Sequence, residues 1–183
     1  MNLLSPRDLP VINGQKVSLR PITDGDTDLI VRWRNDPAVY SFFIFRQTFT
    51  PEMHRDWLET KVKTGKVIQY IILAGEDHLP VGSVYFRDVD TLHSSAEYGI
   101  FIGEEWARNR GFGSETARLF TRFGLDVLGL HRISLKVLGG NDIARRSYEK
   151  AGFVCEGTAR DMVYLDGEYR DVVFMSILNG EVD

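Results

Sequence analysis

Apolar and polar positions alternate with a period of two over residues 16–21. Val17 and Leu19 sit between Lys16, Ser18 and Arg20, which predicts a strand. After Asp24 and Asp26, either able to cap a helix, Leu29, Ile30 and Trp33 fall on one helical side. Asn35-Asp36-Pro37 ends that helix, because the residue before proline avoids helical angles. An aromatic run follows, Tyr40-Ser41-Phe42-Phe43-Ile44-Phe45. Thr50-Pro51 then opens a second helix with a hydroxyl cap and a first-turn proline. It carries Met53, Trp57, Leu58 and Val62 and ends near Gly65. Residues 67–73 and 81–87 are strongly apolar strands around a turn at Gly75-Glu76-Asp77-His78.

Along 96–102, Ala96, Tyr98, Ile100 and Ile102 share one strand face, and Glu97, Gly99 and Phe101 share the other. A third helix over 114–128 spaces Ala117, Phe120, Phe123, Val127 and Leu128 on one stripe, and Gly129 stops it. In the strand over 131–138, Ile133, Leu135 and Val137 face one way, before Gly139-Gly140 breaks the run. Asn141-Asp142 opens a short helix over 143–150, closed by Gly152. Two strands, 153–165 and 169–178, meet at Asp166-Gly167, a hairpin signal because both central residues take positive φ. The first dozen residues show no period and read as a loose arm. The order β-α-α-β-β-β-α-β-α-β-β mixes hairpins with strand-helix-strand units. It predicts an α+β fold: a mixed, mostly antiparallel twisted sheet of about seven strands flanked by about four helices. No repeat or linker divides the chain, so one domain over 1–183 is expected, with its core at about 15–178.

Composition narrows the classes. With 43% apolar and 26% charged residues, the chain is globular in character. A net charge of -4 argues against nucleic-acid binding and leans toward a cationic partner. One cysteine, Cys155, excludes an intramolecular disulfide. Its apolar surroundings, Gly152-Phe153-Val154-Cys155, predict a buried filler rather than a nucleophile. The N-terminus lacks the cationic start and apolar run of a signal peptide, and no window suits a membrane span, so a cytoplasmic location is expected. His54, His78, His93 and His131 do not cluster at ligand spacing, and no metal is assigned.

The chemistry concentrates in Ala107-Arg108-Asn109-Arg110-Gly111-Phe112-Gly113-Ser114-Glu115-Thr116, between a strand and a helix start. The first turn of a helix offers unpaired N–H groups and partial positive charge, a seat for an anion. Gly111 and Gly113 let an anion approach the backbone, Arg108 and Arg110 add charged donors, and Ser114 can cap the helix or touch a phosphate. An ordinary glycine turn with solvated arginines is the competing reading. The pattern is neither a Walker A loop, lacking Gly-Lys-Ser/Thr, nor a dinucleotide fingerprint, because Thr116 replaces its third glycine.

Arg108-x-x-Gly111-x-Gly113 resembles the R/Q-x-x-G-x-G/A motif of the GNAT acetyltransferase superfamily. The resemblance extends to the strand at 96–103, to Asn141 and Tyr148, and to Glu149-Lys150-Ala151-Gly152-Phe153. Glu156-Gly157 and Gly167-x-x-x-Asp171 are similar to the ribosomal-protein (Rim-type) and polyamine-acetylating branch; about residues 15–178 are covered. The resemblance implies that the loop holds the pyrophosphate of coenzyme A. It implies that the fourth and fifth strands splay, freeing backbone groups near Phe101, Ile102 and Gly103 for the pantetheine arm. Loop residues Arg108 to Ser114, with Asn109 and Phe112 among them, and Asn141 complete that site.

Acetyl transfer from a thioester needs a neutral amine, a stabilised oxyanion and a proton for the thiolate. Glu97, a lone carboxylate in an apolar strand, is the candidate base; Lys136 occupies the other position where relatives carry an acid. Tyr148 is the candidate acid, and a backbone N–H near Ile102 or Gly103 the oxyanion donor. Structural roles for Glu97 as a paired carboxylate and Tyr148 as a packing ring remain open. The acceptor is expected over the first two helices, against Trp33, Arg34, Asn35 and Phe42. Core packing of Phe42 and Phe43 is the alternative. A protein N-terminus, a polyamine and an amino sugar are the acceptor classes, and a homodimer is implied by resemblance. The reading is an acetyl-CoA-dependent N-acetyltransferase working by direct attack in a ternary complex, without metal. The rival is a non-catalytic acyl-CoA sensor on the same fold.

Overall fold

A computed structural model describes residues 5–181. The strands are β1 (Ile12–Asn13), β2 (Val17–Pro21), β3 (Ile68–Ala74), β4 (Leu79–Asp90), β5 (Ser95–Ile102), β6 (Arg132–Leu138), β7 (Val154–Leu165) and β8 (Glu168–Leu178). The helices are α1 (Thr27–Asn35), α2 (Pro37–Tyr40), α3 (Pro51–Trp57), α4 (Phe112–Arg122) and α5 (Asp142–Lys150). The strands form one sheet in the order β1-β2-β3-β4-β5-β6-β8-β7. Every neighbouring pair is antiparallel except β5 and β6. This is the mixed α+β architecture expected from the pattern, with eight strands rather than seven. The added strand, β1, lies in the segment read as a loose arm. Its two residues pair Ile12 with Leu19 and Asn13 with Ser18, too few to leave a period in the sequence.

A layer of side chains covers each face of the sheet. On the face toward α4 and α5, Phe86 and Phe120 stack at 4.2 Å, and Tyr70 meets Phe120 edge-on at 5.3 Å. On the face toward α1 and α3, Ile30, Trp33, Leu58, Ile71 and Phe101 pack together. Burying each of these large side chains stabilises the fold by roughly 2–3 kcal/mol. The strand faces at 96–102 fall as the alternation predicts: Ala96 and Tyr98 join the first layer, and Phe101 the second.

Two helical details differ from expectation. Pro37 ends α1 but also stands at the first position of α2, a single turn whose cap is Asp36, accepting from the Ala38 N–H at 2.9 Å. The helix expected from Ser114 begins at Phe112 and continues past Arg122 through a π-turn, Phe123–Val127. Cys155 is exposed, not buried. It lies on β7, an edge strand, where an apolar run need not be covered. Among the described residues no helix is long and apolar enough to cross a membrane, and no group of side chains is arranged to hold a metal.

The start of α1 rests on a buried ionic knot. Arg20 grips Asp26 with both terminal nitrogens, at 2.8 and 2.5 Å, and Asp26 accepts from the Thr23 N–H and hydroxyl. Close by, His54 is 1% exposed. Its Nδ1 meets the Thr27 hydroxyl at 3.0 Å, and its Nε2 has no partner. Burial pushes the His54 imidazole below its ordinary 6.5, so the folded protein resists protonating it. Above pH 6.5 both folded and unfolded chains hold it neutral. As pH falls below 6.5 the unfolded chain takes a proton that the folded chain refuses, and stability drops. Urea unfolding between about pH 7 and pH 5 should therefore show a falling midpoint in the wild type and a flatter one in His54→Gln. Parallel slopes in the two proteins would count against this burial effect.

Candidate active site

The parallel pair β5 and β6 is joined for only three positions: Ser95 with Arg132, Ala96 with Ile133, and Glu97 with Ser134. Beyond Glu97 the strands part, which is the splay expected between the fourth and fifth strands, here β5 and β6. A groove of about 930 Å³ runs through the gap, bordered by α5, the start of α4, and the 42–45 loop. Backbone polarity follows from register. The Gly103 N–H donates to the Val81 carbonyl at 2.8 Å, and Gly82 faces Ile102 across β4 and β5. In an antiparallel ladder bonded and non-bonded pairs alternate. The N–H and C=O of Ile100 and Ile102 therefore turn away from β4 and toward the gap. Of the two backbone donors expected, the Gly103 N–H is already occupied, and the Ile102 N–H faces the groove as that of Ile100 does.

At one end of the groove α4 begins with Gly111, whose φ of 82° is left-handed and suits glycine. No side chain caps this helix. Its first-turn N–H groups meet the groove at Gly113 and Ser114, which border it. Arg108 also borders it, turned back so that Nη2 donates to the Gly103 carbonyl at 3.0 Å. Asn109, at φ 60°, completes the rim. Two residues expected in the seat point elsewhere. Arg110 lies over the Trp106 ring at 5.7 Å, and Phe112 meets that ring edge-on at 6.5 Å. The Ser114 hydroxyl bonds Ser147 at 2.7 Å, tying α4 to α5. Asn141 caps α5 by accepting from the Ala144 N–H at 3.2 Å, and it borders the groove as well.

Tyr148 borders the groove. Its ring meets Tyr98 and Phe153 edge-on, each at 5.9 Å. Burial pushes its phenol above the ordinary 10, so it stays protonated at neutral pH. The Tyr98 hydroxyl is buried without a hydrogen-bond partner.

On the α1 and α3 side, Glu97 lies between two cations. Arg87 donates to it from Nε at 3.0 Å and again from Nη2, and Lys136 donates at 2.7 Å. Burial alone would raise the Glu97 carboxyl, but the bonds from Lys136 and Arg87 outweigh it and hold the group below the usual carboxylate range. Such a carboxylate is a weak proton acceptor. Tyr85 lies beside this cluster, its ring pressed against Gly99, where any Cβ would collide with it. Strand alternation and the β4–β5 register bring Tyr85, Arg87 and Glu97 to one face; sequence reading missed the first two because that register is non-local.

The expected acceptor residues divide. Trp33 is 1% exposed and belongs to the core, its indole N–H donating to Glu104 at 2.8 Å. Asn35 exchanges two hydrogen bonds with the Phe49 backbone, both at 2.8 Å, and braces a loop. Arg34 and Phe42 do reach the groove, and Phe42 is exposed. Phe43 borders the groove too, while packing on Phe101 at 5.8 Å. Arg46 clamps this loop: it donates to the Ser41 and Phe43 carbonyls and pairs with Asp166 at the β7–β8 turn.

Comparison with known proteins places this geometry. The profile of the Acetyltransferase (GNAT) domain matches residues 16–154. A spermidine N(1)-acetyltransferase of Vibrio cholerae is 26% identical over 167 residues, spanning 91% of this chain and 95% of that protein. A putative ribosomal N-acetyltransferase, YdaF, of Bacillus subtilis is 26% identical over 138 residues, 75% of this chain and 70% of its own. The crystal structure of the Vibrio cholerae spermidine N-acetyltransferase with CoA and spermine superimposes with a TM-score of 0.86 at 23% identity, covering 92% of this chain and 99% of that one. With its split sheet, its glycine-capped helix and a profile match across most of its length, the chain belongs to the GNAT acetyltransferases, enzymes that take the acetyl group of acetyl-CoA.

Proposed function

We propose that this protein transfers acetyl from acetyl-CoA to a primary amine by direct attack within a ternary complex. The observation that carries the reading is the gap between β5 and β6 opening onto the uncapped start of α4. The N–H groups of Gly113 and Ser114 would take the pyrophosphate, and Ile100 and Ile102 would bond the pantetheine arm as a strand would. Asn141 and Arg108 border the same stretch. The thioester would then lie beside Tyr148. The amine nitrogen forms the new C–N bond, the carbonyl pair moves onto oxygen near an N–H of β5 that faces the gap, and collapse breaks the C–S bond. The proton leaving nitrogen ends, in net, on sulfur, and the Tyr148 hydroxyl steadies that sulfur with a hydrogen bond.

Glu97 plays a narrower part than a strong base. An alkylammonium titrates near 10, so direct transfer to a carboxylate below its usual range is uphill by more than about 6 pKa units. Its work is to hold Arg87 and Lys136, while water carries the amine's proton away.

A thiol-release assay with acetyl-CoA and a panel of amines tests the reading: peptides, polyamines, amino acids and amino sugars. Turnover on any class supports it. Silence throughout, with coenzyme A binding seen by calorimetry, would favour a binding module instead. Cys155 lies outside the groove and on an edge strand, so Cys155→Ala should retain full turnover. Loss of activity in a folded Cys155→Ala protein would point to an acyl-enzyme.

A further inference from the structure

Charge in the groove is lopsided, and at the acceptor end it has a specific shape. Among the described residues Glu97 is the one acidic side chain bordering the whole groove, against Arg34, Arg87, Arg108, Lys136, Arg146 and Lys150. Arg108, Arg146 and Lys150 belong to the α4 and α5 end. The other three cations and Glu97 gather on the α1 side, giving that end a net charge of about +2. Arg87 and Lys136 already share the Glu97 carboxylate.

Arg34 has no such partner among the described residues. Its guanidinium lies on the rings of Phe49, at 4.5 Å, and Phe43, at 5.1 Å. Its Nε is buried without a hydrogen bond. Arg87 is close enough to repel it. Holding a guanidinium out of water, against aromatic faces and near a second cation, is unfavourable unless an anion completes it. The rings cover the faces of the planar group and leave its edge for a forked oxyanion, the geometry carboxylates and phosphates share.

We infer that the acceptor is a primary amine carrying its own oxyanion, a carboxylate or a phosphate, which Arg34 seats at the edge of the groove, and that polycationic amines are disfavoured. The inference rests on the amine-acetylating reading above. It also runs against the overall charge of -4, because recognition follows the local field within a Debye length of about 8 Å rather than the sum over the chain. The same field assists chemistry: neighbouring cations favour the neutral form of a bound amine, the form that attacks.

The test uses acceptors matched in length that differ at one end: butylamine, γ-aminobutyrate and putrescine, with aminopropyl phosphate as the phosphate arm. Thiol release gives kcat/KM for each. In the wild type one of the two anionic amines should exceed butylamine by about tenfold or more, chiefly through KM, and putrescine should fall at or below butylamine. Whichever anionic amine leads identifies the oxyanion. In Arg34→Gln the anionic advantage should shrink to within about threefold. Putrescine outrunning both anionic amines, or equal rates for all four, would overturn the inference and leave acetyl transfer standing. If none of the four turns over, calorimetry of the same four with the coenzyme A complex decides the inference, and the acetylation reading fails only where the wider panel is silent as well. Tighter γ-aminobutyrate or aminopropyl phosphate sustains the oxyanion seat; tighter putrescine, or no binding, removes it.

Discussion

Replacing Gly111 by valine should abolish coenzyme A binding. Gly111 sits at φ 82°, a conformation that costs a residue with a Cβ about 1–2 kcal/mol, and more for one branched at that atom. Space inside the fold is not the obstacle, because the nearest atom to an added Cβ is the Lys16 Nζ at 3.6 Å. The added methyls would instead stand before the first-turn N–H groups of α4. Each charge-assisted bond lost there is worth roughly 1.5–3 kcal/mol, so losing two raises Kd by about 100-fold or more. Calorimetry measures this directly, with circular dichroism showing that the variant is folded. Gly113→Ala is the internal comparison. Its Cβ would make ordinary contact with Ile102 at 3.9 Å, and its effect should be smaller. Wild-type affinity in folded Gly111→Val would mean that no phosphate sits at this turn.

Tyr148→Phe should lower kcat by about 100-fold or more while leaving coenzyme A affinity within about threefold. Phenylalanine keeps the edge-on contacts with Tyr98 and Phe153 and removes only the hydroxyl. Burial holds the phenol above its ordinary value, so wild-type activity should show no decline from Tyr148 ionisation on moving from neutral to mildly alkaline pH. An unchanged kcat in Tyr148→Phe would reduce the residue to a packing ring.

Local chemistry made much of this fold readable. Thr50 and Asn141 cap helices as their positions promise, accepting from the Met53 and Ala144 N–H groups. Asp166 and Gly167 take the positive φ values of 54° and 87° that their hairpin requires. These features depend on a few adjacent residues, so adjacency reveals them. The errors share another property. Trp33 looks like pocket lining until Phe101 is brought beneath it, at 6.2 Å, from far along the chain. Cys155 looks buried until β7 is known to be an edge. The Arg34, Arg87 and Lys136 cluster needs one helix and two strands in register around Glu97, which no short stretch encodes. Position along the chain marked the start of α4 as a candidate seat, whereas the cation cluster around Glu97 is a product of topology.

The short junction between β5 and β6 has a mechanical side. Only three strand rungs pair five strands with the other three, and side-chain contacts such as Lys136 with Glu97 and Tyr98 with Tyr148 supply the rest of the hold. A linear molecule laid in the gap and bonded by Ile100 and Ile102 would behave as a strand of foreign chemistry inserted into an unfinished weave. Its arrival would lengthen the junction and its departure would shorten it again. Each catalytic cycle would then tighten and loosen the cohesion of the sheet itself, so that letting go of product is a small, local act of unfolding.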